Sequence, residues 1–131
     1  MTERTATCSC GQLRVHCSGA PVRVSVCHCL ECQKRTGSTY GVQARWPRTQ
    51  VRIEGVSTAY ARVADSGNGL TFHFCPHCGS TVHYQLDNQS DLVAVAVGAF
   101  ADPLFPAPKF SVYEQRKHAW VGIDTDVERL G

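Results

Sequence analysis

A chain of 131 residues that is 43% hydrophobic and 18% charged is too apolar for a disordered polar segment, and one domain over residues 1–131 is expected. Its formal charge of +2 gives no support to a nucleic-acid surface, and its longest apolar run, Leu92 to Gly98, is far short of the ~20 residues of a membrane helix. Met1 to Thr7 has no apolar stretch, so no secretory leader is expected there; in a cytoplasmic setting the eight cysteines serve as metal ligands rather than disulfides.

In chain order, Cys8 and Cys10 come first, closed by Gly11. On a strand, residues two apart share a face, so both thiols are expected to point at one ion with Ser9 turned away. Leu13, Val15 and Cys17 then alternate with Gln12, Arg14 and His16, the pattern of a half-buried strand. Cys17 lies on its apolar phase and is expected to be a small core residue. Val22, Val24 and Val26 alternate with Arg23 and Ser25 and lead into Cys27-His28-Cys29-Leu30-Glu31-Cys32. His28, between two cysteines, is expected to turn away from their ion. One short helix is expected over about Leu30–Thr36, ended by a left-handed Gly37.

Period-two patterns return at Tyr40, Val42, Ala44 and Trp46, and at Leu70, Phe72 and Phe74. Ser66-Gly67-Asn68-Gly69 is expected to be a hairpin turn, with Asn68-Gly69 at positive φ. Cys75-Pro76-His77-Cys78-Gly79 has the form of a metal knuckle, stiffened by Pro76 and released by Gly79. Val93, Val95 and Val97 interleave with Leu92, Ala94 and Ala96, so this strand is expected to be covered on both faces. Asp102 to Pro108, with three prolines, is expected to be a strap. His16, His73, His77 and His83 are expected at the surface. The fold class is mainly β with at most one or two short helices.

Seven cysteines thus form two pairs and one triple. Cys8, Cys10, Cys75 and Cys78 can close a tetrahedral structural zinc site. Cys27, Cys29 and Cys32 leave a fourth position open, the ligand count of a catalytic zinc. A zinc ribbon of Cys29, Cys32, Cys75 and Cys78 is the competing partition, and leaves Cys8, Cys10 and Cys27 unused. Two Zn²⁺ ions on seven thiolates take the formal charge from +2 to −1. Directly after the triple, Lys34, Arg35 and the amides of Gly37 and Ser38 are candidates for holding the carboxylates of a small anionic substrate. Three thiolates make zinc a weak Lewis acid that favours a soft, exchangeable thiol over an activated hydroxide.

The order Cys-x-Cys-Gly, Cys-His-Cys-x-x-Cys-Gln-Lys-x-x-Gly-Ser, Cys-x-x-Cys-Gly-Ser resembles the glutathione-dependent formaldehyde-activating enzyme family, also called the centromere protein V family. Gly19-Ala20-Pro21, the segment Val97 to Asp102 and Lys117-His118-Ala119-Trp120 look similar too, so the resemblance runs from about Thr7 to Trp120. It implies coiled β-sheets of the β-tent type and the same partition of cysteines between structural and catalytic zinc. The implied activity is that of a carbon–sulfur lyase interconverting S-hydroxymethylglutathione with glutathione and formaldehyde. Ser111 stands where many relatives have histidine. Two other readings remain at this point: a carrier that binds a thiol or its adduct without turnover, and a structural zinc domain for protein interaction.

Overall fold

A computed structural model describes residues 2–131. Among the described residues eleven strands and one α-helix follow in order: β1 Glu3–Thr7, β2 Arg14–Ser18, β3 Arg23–Cys27, α1 Leu30–Thr36, β4 Gly41–Pro47, β5 Val51–Glu54, β6 Thr58–Val63, β7 Gly69–Phe74, β8 Thr81–Leu86, β9 Leu92–Ala96, β10 Phe110–Val112 and β11 Glu128–Arg129. They make a three-stranded sheet, β1-β2-β5, and an eight-stranded sheet ordered β11-β10-β3-β4-β9-β8-β7-β6. All pairings are antiparallel except β3–β10 and β10–β11. The fold is therefore mainly β, as expected, and among the described residues no helix is long and apolar enough to cross a membrane.

The core lies where the small sheet meets one face of the large one. Ala6, Leu13, Val15 and Cys17 come from the small sheet, and Val24, Ala44, Trp46, Val93 and Val95 from the large sheet. Cys17 is fully buried there, and burial raises its thiol pKa to about 12, which suits an inert core residue. The proline-rich segment 102–108 forms no strand and is anchored by Phe105, stacked on Phe100 at 4.9 Å between ring centres.

The opposite face of the large sheet is not solvent. Ser25 on β3 and Gln43 on β4, both on the polar phase of the sequence pattern, are 2% and 4% exposed. Gln43 donates to Ser25 Oγ at 3.1 Å, which satisfies part of that buried polarity. Alternation therefore separates two covered faces here rather than an inside from an outside, and only the apolar residues on both phases of β9 had signalled that.

Several local expectations are corrected. Val22 precedes its strand and is 59% exposed. Val97 leaves β9 to begin a short 3₁₀ turn. In the hairpin between β6 and β7 the left-handed residue is Gly67 (φ 89°), not Asn68-Gly69; its N–H closes a turn on Ala64 O, and Gly69 already belongs to β7. His83 is buried at 4% exposure, on the face shared with Val95 across β9, because the small sheet covers that face.

Candidate metal centre and its cavity

The Sγ atoms of Cys8, Cys10, Cys75 and Cys78 lie within 4.8 Å of one another, and those of Cys27, Cys29 and Cys32 form a second such group. The ribbon partition, which needs Cys29 and Cys32 beside Cys75 and Cys78, is not the arrangement found. Tetrahedral sulfurs about 2.3 Å from an ion stand about 3.8 Å apart. The Cys8–Cys10 and Cys10–Cys75 separations are 3.6 and 3.7 Å.

Cys8 and Cys10 do not share a strand face. β1 ends at Thr7, and the two thiols converge through a turn closed by Gly11 N–H on Cys8 O, with Gly11 at φ 84°. A strand would have continued the ladder with β2; the turn instead reverses the chain and frees amides for sulfur. Leu13 N–H donates to Cys8 Sγ at 3.3 Å. The second knuckle repeats this, with His77 N–H on Cys75 Sγ at 3.4 Å and Gly79 left-handed at φ 82°. Gln12 Nε2 adds a donor to Cys75 Sγ at 3.0 Å. N–H donors favour the thiolate, the form that ligates metal. Contacts from Ser80 hold Cys78 down at about 5.

The triple is assembled locally. Cys27 ends β3, Cys29 caps α1, and Cys32 lies one turn into the helix. Cys32 N–H donates to Cys29 Sγ at 3.3 Å. Hydrogen bonds from the Cys27 and Cys32 thiols, together with that amide, hold Cys29 at about 2, while the same bond to Cys29 pushes Cys27 up. Three crowded thiols share their protons unevenly, and a bound cation would let all three ionise.

His28 turns away from both clusters and is fully buried. Its Nε2 donates to Ser111 Oγ at 2.8 Å, and Ser111 donates on to the Glu114 carboxylate. This chain braces the segment between Cys27 and Cys29 from behind. Ser111 is buried, so it serves as a relay between two larger side chains.

A cavity of about 350 Å³ opens in front of the triple, lined by Cys27, Cys29 and Cys32 but by none of the other five cysteines. Arg23, Arg35, Arg45, Arg62 and Arg116 line it, and none of these arginines has a carboxylate within 4.0 Å among the described residues. Glu31 and Asp65 are the acidic groups on the wall, and Glu31 pairs with Lys34 at 3.6 Å. Phe72 and Tyr84 give the cavity an apolar side, over which Arg35 lies with its guanidinium 5.1 and 5.6 Å from the two ring centres. Tyr113, also on the wall, has a left-handed backbone (φ 55°); burial and then the sulfurs of Cys27 and Cys29 raise its phenol pKa.

Lys34 and Arg35 therefore reach the cavity, whereas Gly37 and Ser38 do not line it; they sit at the far end of α1, where Gly37 N–H caps Gln33 O. Arg23, Arg45, Arg62, Arg116, Gln43 and Tyr113 were missed from the sequence. The available signal was arginine inside valine- and tryptophan-bearing strands, where a solvated position is the ordinary assumption.

The family model described as glutathione-dependent formaldehyde-activating enzyme matches residues 3–116. A protein of Fusarium vanettenii is 25% identical over 132 residues, covering 88% of this chain and 70% of its own. One of Colletotrichum graminicola is 26% identical over 143 residues, covering 88% and 74%. Both are provisionally named glutathione-dependent formaldehyde-activating enzymes. A crystal structure of a Rhodobacter sphaeroides protein shares the fold, with a TM-score of 0.57 and 21% identity over 72% of this chain and 85% of that one.

Proposed function

The chain belongs to the glutathione-dependent formaldehyde-activating enzyme family, and from that premise we propose that it joins a glutathione-like thiol to formaldehyde and reverses the reaction, as a zinc-dependent carbon–sulfur lyase. One observation carries this reading: the three-cysteine cluster lines a cavity and the four-cysteine cluster does not. Cys8, Cys10, Cys75 and Cys78 would hold a structural zinc. Cys27, Cys29 and Cys32 would hold a second zinc, which when bound lowers the pKa of an entering thiol so that it reacts as thiolate.

The remaining work falls to the chain's own groups. In the forward direction a carbon–sulfur bond forms, the carbonyl π bond opens, and the proton lost by the thiol ends on the new hydroxyl. The arginines on the wall attract an anionic thiol and offset its carboxylates. Phe72 and Tyr84 exclude water beside the reacting carbon. Tyr113 keeps its phenolic proton and is the wall group suited to donate to the carbonyl oxygen. The His28–Ser111–Glu114 chain positions the ligand segment without touching substrate.

Zinc analysis and thiol calorimetry on native protein test this. The expected outcome is tight glutathione binding with proton release, weak binding of S-methylglutathione, and accelerated exchange between glutathione, formaldehyde and S-hydroxymethylglutathione by NMR. Binding without acceleration would make the protein a carrier. Equal binding of glutathione and its S-methyl derivative would remove the thiolate from the site and leave the structural reading.

A further inference from the structure

The cavity-facing side of β3 and β4 is a ladder of three rungs. Cys27 stands opposite Gly41, Ser25 opposite Gln43, and Arg23 opposite Arg45. The thiol chemistry above uses only the first rung. At the third, two like charges face each other directly, an arrangement that destabilises a sheet. Neither arginine has a carboxylate within 4.0 Å among the described residues, and each has a buried Nε without a partner. Arg45 meets neutral partners alone, donating to Gln89 Oε1 at 3.4 Å and lying beside the protonated Tyr84 phenol. Arg23 lies over the Phe110 ring at 4.1 Å, which orients the guanidinium and supplies no counter-charge. Burial, and next the Arg45 charge, lower the pKa of Arg23, with Glu128 acting in the other direction from beyond ion-pair distance. Arginine does not relieve such crowding by losing its proton. An anion bridging both guanidinium groups relieves it.

The middle rung points the same way. Gln43 is 4% exposed, donates to Ser25 and lines the cavity, yet its Oε1 has no partner. A buried acceptor of this kind is satisfied by a donor on a ligand. Four strand residues at roughly 3.3 Å each place Arg23 about 13 Å from Cys27 along the backbone. An extended tripeptide covers about 10 Å of that, and an arginine side chain reaches back over the remainder.

We propose that Arg23 and Arg45 form an anion subsite at the end of the cavity opposite the cysteine triple, taking the carboxylate or phosphate of an elongated thiol whose middle presents an N–H or O–H to Gln43. The thiol end of this ligand rests on the function proposed above; the anion end does not.

Calorimetry on zinc-loaded protein with two matched pairs tests it: glutathione against its diethyl ester, and 4′-phosphopantetheine against pantetheine. Wild type is expected to bind the member carrying the anionic group about tenfold or more tightly than the member without it, in one of the two pairs. The pair that shows the preference identifies carboxylate or phosphate. In the Arg23→Gln/Arg45→Gln variant that ratio should fall about tenfold, with the thiol lacking the anion binding as before. Inorganic phosphate should compete in wild type with the anionic thiol and not with its partner lacking the anion, so the result stands even if the double variant does not fold. Equal binding within both pairs by wild type, or an unchanged ratio in a folded double variant, overturns the subsite. The two proposals separate with S-methylglutathione. If it binds as tightly as glutathione but depends on both arginines, the metal-thiolate reading fails and the subsite survives. If glutathione binding releases a proton but ignores ligand charge, the reverse holds.

Discussion

Lys34 and Arg35 are neighbours in sequence with different surroundings. The Lys34 side chain is 75% exposed and pairs with Glu31 across one helical turn. Arg35 turns inward over Phe72 and Tyr84, and its Nη2 donates to Cys32 Sγ at 3.7 Å. Exposed pairs contribute about 0–1 kcal/mol, against about 1.5–3 kcal/mol for a shielded charge-assisted bond. Arg35→Ala is accordingly expected to weaken glutathione binding about tenfold or more, and Lys34→Ala about twofold, by calorimetry. His83 offers a second test. It stacks on His73 at 4.6 Å with both ring nitrogens unpartnered, and burial, then His73, lower its pKa from 6.5 to about 4. Above pH 6.5 neither folded nor unfolded chain protonates this ring, so it adds no pH dependence there. Between 6.5 and about 4 only the unfolded chain takes up the proton, and stability falls as pH falls; below about 4 both states carry it and the slope ends. Denaturant midpoints from neutral pH to about 4.5 should therefore fall less steeply in His83→Phe than in wild type. Parallel slopes would show that the ring is solvated.

Among the elements, the knuckles depend on chain reversal more than on strand geometry. Gly79 is left-handed with open space where a Cβ would stand, so Gly79→Ala should cost about 1–2 kcal/mol of backbone strain. Gly55, at φ 94°, differs: an added Cβ would overlap the Gln12 carbonyl oxygen. Gln12 is the residue that donates both to Cys75 Sγ and to Val56 O, and accepts from Val56 N–H at 2.9 Å. Gly55→Ala is expected to cost roughly 1–3 kcal/mol more than Gly79→Ala and to loosen metal at the four-cysteine cluster, read by urea unfolding and by zinc release to a colorimetric chelator. Equal cost at the two positions would mean that Gln12 is not tied to the cluster. Helix α1 was legible almost to the residue, because a seven-residue run closed by a left-handed glycine is a local signal; its cysteine N-cap was not read from the sequence.

Across the whole molecule the two clusters differ in what they join. Cys8 and Cys10 belong to the β1–β2 turn of the small sheet, and Cys75 and Cys78 to the β7–β8 turn of the large one. An ion there cross-links the sheets, so its binding energy is folding energy. The triple lies within one short segment, residues 27–32, and its ion joins nothing distant. Chelator titration is expected to remove one of two zinc equivalents first with the circular dichroism unchanged, and the second together with the fold. Loss of both in a single step coincident with unfolding would contradict this division.

The sequence by itself determined what depends on neighbouring residues. Period-two strands, the helix and its closing glycine, and the grouping of seven cysteines into pairs and a triple all follow from short-range spacing. Ligand counting then separated a four-sulfur set from a three-sulfur set, and the structure assembles those two sets. Only the tertiary structure decided what each polar strand position faces. Arg23, Ser25, Gln43 and Arg45 read as the solvated side of β3 and β4, and His83 as a surface histidine; a cavity wall and a second sheet cover them instead. The reason is physical: alternation reports that a strand has two unlike faces, whereas the environment of each face is set by elements distant in sequence.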